Sequence, residues 1–547
     1  LINSMRREKH PMNTMTHLHL ITSPATPTWR RVLVLIAVAL MTVATTLGSC
    51  FGADSPPASK DSTAGVLTKS TSSAGTTPSF SPNSAPGATE RYSYFESLPA
   101  FDPLTPLEPN EMRITFMGSM IPLPVRLAQA EMSVFVEVGW QKNPKDTYYH
   151  GQPVDQMMFD MGAGTSANYA AAKVGYRRMD KLFINHLHAD HMNDLLHTYC
   201  FGPAGDRKSP MYVWGSKASG VESPAGSGIY YDDGVINFCS HLREAARWHT
   251  ESFSFQRTAS ADYAPPTKKS WGLPHDPAPV GNDDPRDAYA LVPIELDWAK
   301  VGGVAYKNAS TGVTVTHFPV LHCRRGAMGY KLSWQTPDGH TLSMIYTSDT
   351  KPETNSIAQA ANEGKGVDVF IHEMVVPPEV WAYKSMGLDR PLPPSHPGYA
   401  DYQKTVQAAT FIQNSSHTSP GAFGYILSQI KPKPRLTVAT HFPVADDTVA
   451  SAFESVKRHC PDVQMGRDIV WSFDLMVLRV FPDRIEQRRA DVSRFAFLPP
   501  PRVLGGLMVP KYHDPAGNPD PYAQIDVSTE IKPTNPDGSV NFRVDGY

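Results

Sequence analysis

Residues 184–196 read INHLHADHMNDLL, with three histidines and two aspartates in thirteen positions. The stretch KLFINHLHADH begins as an apolar strand. His186 and His188 are two apart, so in extended backbone they point to the same side. Asp190 and His191 follow, where MNDLLHTY begins a helix. Imidazole and carboxylate groups gathered at a strand end suit zinc or a similar divalent ion. A helix cap with solvent-facing histidines would account for one such residue. It does not account for His-x-His-x-Asp-His behind an apolar run.

One ion needs further ligands or an open water position, and two ions need residues from elsewhere in the chain. Three polar residues stand just beyond other apolar runs. VTVTHFPVLHC offers His322, LSMIYTSDTKP offers Asp349 and RLTVATHFPV offers His441. Each alone is an ordinary loop residue; their shared placement makes coincidence a poor explanation.

The rest of the chain frames this cluster. TWRRVLVLIAVALMTVATTLGSC places Arg30 and Arg31 before an apolar run too short for a comfortable membrane span, which reads as an export signal over 1–50. LGSC also fits a lipoprotein signal with Cys50 as the lipidated residue, so a periplasmic or outer-surface location follows, lipid-anchored or free. Residues 51–90 are Ser-, Thr-, Pro-, Ala- and Gly-rich, a tether with almost nothing to bury. Residues 91–498 carry the catalytic-type domain, interrupted by a Pro- and Asp-rich insertion at about 252–300, and 499–547 form a polar tail. Strands dominate first and then alternate with helices, while the polar clusters fall at strand C-terminal ends. This predicts an α/β sandwich with a site along one edge. DIVWSFDLMVLRVFPDRIEQRR reads as a closing hairpin. No Cys-x-x-Cys pair is present, and outside the cytoplasm Cys200, Cys239, Cys323 and Cys460 are free to pair.

The motifs resemble the metallo-β-lactamase-fold hydrolases, and within them the ribonuclease Z-like branch. ITFMGS is similar to that branch's opening strand. MFDMGAGT is similar to its Gly-rich turn, with Asp160 as the acidic residue. HLHADH matches the His-x-His-x-Asp-His signature, and YTSDT, IHEM and SSHTSPGAFGYILSQIKPKPRLTVATHF match later motifs. The resemblance covers residues 112 to 445 and implies the αββα sandwich of that fold. It also implies two Zn²⁺ ions, with Mn²⁺ or iron as alternatives. His186, His188 and His322 would hold one ion, Asp190, His191 and His441 the other, and Asp349 both. A hydroxide between the ions would complete the site. Glu373 and His417 match the pair that protonates the leaving oxygen, and Asp190 is counted with them as catalytic. His372 reads as structural.

The resemblance by itself suggests RNA processing. Net charge is −3, which offers no broad footprint for a polyanion. Only 27 positions separate His322 from Asp349, and a hairpin fills the place where the branch usually inserts its tRNA-gripping arm. The expectation is therefore an exported hydrolase of a small-molecule phosphodiester or sulfate ester. It would bind no nucleic acid and meet a membrane only through its signal or lipid; a homodimer is compatible with this. The alternatives are a ribonuclease Z-type phosphodiesterase and a non-catalytic metal-binding surface lipoprotein. The chain also resembles exported members of the branch linked to guanitoxin biosynthesis. Arg324 and Arg325, beside His322, read either as an anion-binding pair or as a solvated turn. Asp194 either starts the helix or supports the site from behind, and His197 is a helix residue.

Overall fold

Valines 134, 136 and 138 face one way from the strand Ser133–Val138 and Phe135 faces the other, yet every residue of that strand is buried. Burial on both faces means that the sheet is covered twice, by a second sheet and by helices. The computed structural model describes residues 91–122, 126–139, 154–254 and 259–493, together with residues 495 and 537. The expected export signal, tether and lipid anchor at Cys50 lie outside them, as does nearly all of the tail.

The first sheet has nine strands. In spatial order they are Ala100–Phe101, Ile485–Ala490, Met476–Val480, Met112–Gly118, Ser133–Val138, Asp155–Phe159, Lys181–Phe183, Met211–Ser216 and Leu291–Leu296. The pairing is antiparallel from Ile485–Ala490 to Asp155–Phe159 and parallel from there to Leu291–Leu296. The second sheet has seven strands: Ile469–Trp471, Leu436–Thr440, Val369–Glu373, Thr341–Tyr346, Met328–Gln335, Val313–Pro319 and Gly303–Asn308. Its first four strands run parallel and the remainder antiparallel. Ile114, Phe116, Phe159 and Trp214 of the first sheet meet Val315, Leu332, Met344 and Ile371 of the second in one core. The opposite face of the first sheet packs Met158, Leu182 and Val213 on Tyr169, Leu195 and Val235 from the helices. Phe423 and Ile426 of the helix Pro420–Gln429 and Val449 and Val456 of the helix Asp446–His459 pack with the second sheet, which completes the four layers of an αββα sandwich.

Aromatic packing holds the strand that leads into the histidine cluster. Phe183 stacks on Trp214 at 4.5 Å and on Phe159 at 5.2 Å between ring centres. Each such buried ring contributes about 1.5–3 kcal/mol of transfer free energy. The Tyr330 hydroxyl donates to the Ile184 carbonyl at 2.7 Å, tying the end of this strand to the second sheet. His186 therefore leaves a rigid base.

Two readings are corrected. The expected insertion at 252–300 ends in regular structure, because Leu291–Leu296 is the edge strand of the first sheet. Its neighbour Met211–Ser216 supplies the backbone pairing that a Pro-containing segment does not advertise. DIVWSFDLMVLRVFPDRIEQRR is not one hairpin. Ile469–Trp471 pairs with Leu436–Thr440 in the second sheet, while Met476–Val480 and Ile485–Ala490 form the hairpin in the first. Cys200, Cys239, Cys323 and Cys460 are all free thiols, the first two and Cys460 buried. Among the described residues no helix is long and apolar enough to cross a membrane.

Candidate metal centre

Five strand ends deliver the site. Lys181–Phe183 leads to His186, His188, Asp190 and His191. Val313–Pro319 leads to His322, Thr341–Tyr346 to Asp349, and Leu436–Thr440 to His441, while Val369–Glu373 ends on Glu373 itself. The parallel run of three of these strands puts their C-terminal ends on one edge, where ligands converge in open α/β sheets.

The histidines and aspartates then fall into two groups whose donor atoms lie within 4.8 Å of one another. One is His186, His188 and His322; the other is Asp190, His191, Asp349 and His441. Asp349 faces both. Its carboxylate lies 3.4 Å from His191 Nε2, 3.3 Å from His441 Nε2 and 3.8 Å from His322 Nε2. All seven residues proposed as ligands from the sequence are thus brought together.

Partners behind the rings decide which nitrogen each presents. His186 Nδ1 meets Asn185 Oδ1 at 2.8 Å, His191 Nδ1 meets Asp160 Oδ2 at 2.8 Å, and His322 Nδ1 meets the Ser416 carbonyl at 2.9 Å. Each Nδ1–H donates to its oxygen, which turns Nε2 inward. His188 is the exception, with Nδ1 facing His322 Nε2 at 3.1 Å. His186 Nε2, His191 Nε2 and Asp349 Oδ1 are buried with no hydrogen-bond partner. Inward-facing nitrogen lone pairs next to unpartnered carboxylate oxygen are the arrangement a divalent cation satisfies. Titration agrees. Burial lowers His186 well below the usual imidazole range, lowers His188, and brings His322 to about 4, so these rings are neutral and able to ligate. Burial opposes ionisation of Asp190 and Asp349, but the facing imidazoles outweigh it and hold both well below the carboxylate range.

Asp160 is the hub behind the centre. Beside His191 it accepts from Tyr346 Oη at 2.7 Å, Ser348 Oγ at 2.8 Å and the Asn185 backbone N–H at 2.8 Å. Its neighbour Gly162 has no room for a side chain, since a Cβ there would collide with the Asp190 carbonyl. Asp160, Ser348 and His441 adopt left-handed backbone at φ of 58°, 53° and 57°. Such conformations cost on the order of 1–3 kcal/mol each and persist where the surroundings dictate them.

Glu373 and His417 sit on the same rim. His417 follows the helix Tyr399–Ser416, and its Nδ1 lies 2.9 and 3.1 Å from the two Glu373 oxygens. Glu373 also accepts from the Thr350 backbone N–H. Burial works against a charged His417, but the Glu373 carboxylate outweighs it and pushes the imidazole up to about 9. His322, Glu373 and His417 form a third group with metal-compatible spacing. His372 points away from the site, packs on Phe423 and Phe370 and donates to the Glu373 carbonyl, as a structural residue does. Asp194 accepts the Ser166 N–H at 2.7 Å, so it caps the helix Thr165–Ala171 behind the Gly-rich turn. His197 lies 3.0 Å from Tyr176 Oη and packs on Phe201, away from the centre. Sequence reasoning missed Asn185, whose only signal was a buried-type strand ending in an amide.

No family model matches the chain. Ribonuclease Z of Archaeoglobus fulgidus is 29% identical over 285 residues, 50% of this chain and 78% of that protein. Ribonuclease Z of Treponema denticola is 33% identical over 228 residues, 40% of this chain and 65% of that protein. Among solved structures, the metallo-β-lactamase fold protein YhfI from Bacillus subtilis aligns at 12% identity and a TM-score of 0.36, over 68% of this chain and 100% of that one. Relatives in sequence and the layered architecture lead to one conclusion: this chain is a metallo-β-lactamase-fold protein, ribonuclease Z-like in its motifs.

Proposed function

We propose that the chain is a metal-dependent hydrolase of a small-molecule phosphodiester or sulfate ester. Two divalent ions, zinc first among them, would lie between His186, His188, Asp190, His191, His322, Asp349 and His441. One observation carries this reading: Asp349 of one ligand group also faces His322 of the other, at 3.8 Å, with the Glu373–His417 pair on the same rim. Bound there, such ions supply an acidified water and offset charge on the ester oxygens. The chain's own residues supply the rest. Asp160, Asn185 and the Ser416 carbonyl hold the imidazoles in one orientation. Glu373 accepts a hydrogen bond from Nδ1–H of His417 and favours its charged form, leaving Nε2–H across the ring to protonate a departing oxygen.

The curated relatives favour a second reading, a ribonuclease Z-type phosphodiesterase. Two features support the small-molecule reading instead. Only the hairpin of Met328–Gln335 and Thr341–Tyr346 lies between His322 and Asp349. The cavity beside the centre is about 430 Å³, at the small end for ligand sites. The test is the zinc-loaded protein with bis(p-nitrophenyl) phosphate, p-nitrophenyl sulfate and a precursor tRNA, alongside metal analysis. Two ions per chain and turnover of a p-nitrophenyl ester are expected. RNA cleavage without ester turnover moves the assignment to the ribonuclease. Two ions with no turnover at all leaves a metal-binding scaffold.

Asp160→Asn tests the support behind the rings. The amide keeps the shape but not the charge facing His191. Metal affinity, read by competition with a chromophoric chelator, is expected to fall by about 10–100-fold with the far-ultraviolet circular dichroism unchanged. Unaltered affinity would remove Asp160 from the site.

A further inference from the structure

The cavity beside the centre is lined by His186, His188 and His322 together with Tyr231, Arg324 and Arg325. Most of its other lining residues come from the segment 216–234 and the turn 323–327. The two arginines differ in their commitments. Arg324 Nη2 lies 3.2 Å from Asp233 Oδ2, and its guanidinium lies 4.4 Å from the centre of the Tyr231 ring. Asp233 in turn accepts the Ser219 N–H at 2.8 Å, so the carboxylate lining the cavity is already occupied. Arg325 lines the same cavity and has no ion pair or hydrogen bond among the described residues. The turn that carries it is constrained at both ends: Cys323 has φ of 33° and Gly326 has φ of 114°, and a Cβ on Gly326 would stand 3.5 Å from Ser216 Oγ. Only glycine adopts the latter backbone without strain.

We infer that this cavity is an oxyanion subsite with Arg325 as its cation, and that the ester hydrolysed carries a second anionic group. The inference rests on the hydrolase reading above and names its substrate class: a short ester with a carboxylate, sulfonate or second phosphate at the end remote from the scissile bond. A guanidinium presents a planar fork of donors to such groups. A cavity of about 430 Å³ accepts an aryl or short alkyl spacer between the two ends. The reacting group would then lie against the histidine wall and the second anion against Arg325. Arg324, held by Asp233 and Tyr231, shapes the wall instead of binding.

The test has two arms. In the first, benzoate is titrated calorimetrically into the metal-free protein, where neither ions nor turnover enter. Binding is expected in the wild type, with Kd at least tenfold weaker in Arg325→Gln and an intermediate value in Arg325→Lys. Benzenesulfonate distinguishes a tetrahedral from a planar oxyanion, and preference for either supports the subsite. In the second arm, the zinc-loaded protein meets phenyl p-nitrophenyl phosphate and its 4-carboxyphenyl analogue. The wild type is expected to favour the carboxylate at least tenfold in kcat/KM, and Arg325→Gln to lose that preference. Equal benzoate affinity in wild type and Arg325→Gln, or none in either, overturns the subsite whatever the esters do. Turnover of both esters without preference overturns it while leaving the hydrolase reading intact. Benzoate binding that depends on Arg325 without any ester turnover sustains the anion site and defeats the hydrolase.

Discussion

Asp349→Ala is expected to lower ester turnover by roughly 10⁴-fold or more and to drop metal content from two ions per chain to one or none. The size of the effect follows from position. Asp349 is 2% exposed and faces imidazoles of both ligand groups, at 3.3 to 3.8 Å. A carboxylate is the side chain that serves two cations at once, since each oxygen can meet one. Removing it also takes away a carboxylate that faces His191, His322 and His441 together, so the ligands that remain lose their arrangement. Asp349→Asn separates charge from shape: it fills the same volume but cannot carry the negative charge. Elemental analysis and steady-state kinetics read both variants, and thermal unfolding of the metal-free proteins shows whether the fold persists. Two ions per chain in Asp349→Ala, with activity within tenfold of wild type, would mean that Asp349 is not the shared ligand.

Much of this site is legible in the sequence because chemistry and position coincide there. His186, His188, Asp190 and His191 lie within six positions and follow an apolar strand, so local spacing alone brings them together. His322, Asp349 and His441 are distant in the chain, yet each follows an apolar strand, nearly all buried before Asp349 and His441 and mixed buried and half-buried before His322. The supporting groups are harder to read. Asn185 looks like any strand-end amide, and its role appears only once the Met328 and Thr347 carbonyls take its N–H groups and leave its oxygen for His186. The Ser416 carbonyl that orients His322 has no side-chain signature at all. Arg324 and Arg325 are chemically identical in sequence, and only Asp233 and Tyr231, some ninety residues earlier, tell them apart. In the fold, Leu291–Leu296 was hidden by Pro293 and irregular neighbours. The helix Asp446–His459 went unread although Val449, Ala452 and Val456 keep helical spacing and its two leading aspartates favour the helix start.

His417→Ala is expected to lower kcat by roughly 10²–10⁴-fold for an ester with an alkoxide leaving group. For a p-nitrophenolate leaving group the loss should be far smaller, because that anion departs without a proton. Metal content should stay near two ions per chain. The contrast between leaving groups identifies proton donation, since a variant with a damaged metal centre would lose both reactions alike. Geometry gives the reason for expecting it. Nδ1 of His417 is engaged by both Glu373 oxygens, at 2.9 and 3.1 Å, so the ring is fixed in one orientation and stays cationic up to about pH 9. Glu373 is fully buried and also accepts from Thr350, so it cannot swing away to act alone. Glu373→Gln should therefore reproduce the same leaving-group dependence at smaller amplitude, by releasing the orientation and the charge of His417 while keeping the ring. The competing assignment makes His322, Glu373 and His417 a metal group in their own right. It predicts the opposite pattern: metal lost with His417→Ala and equal damage to both leaving groups. Against it stands the bond from Nδ1 to Glu373, which commits to a proton the ring nitrogen nearest the other two residues.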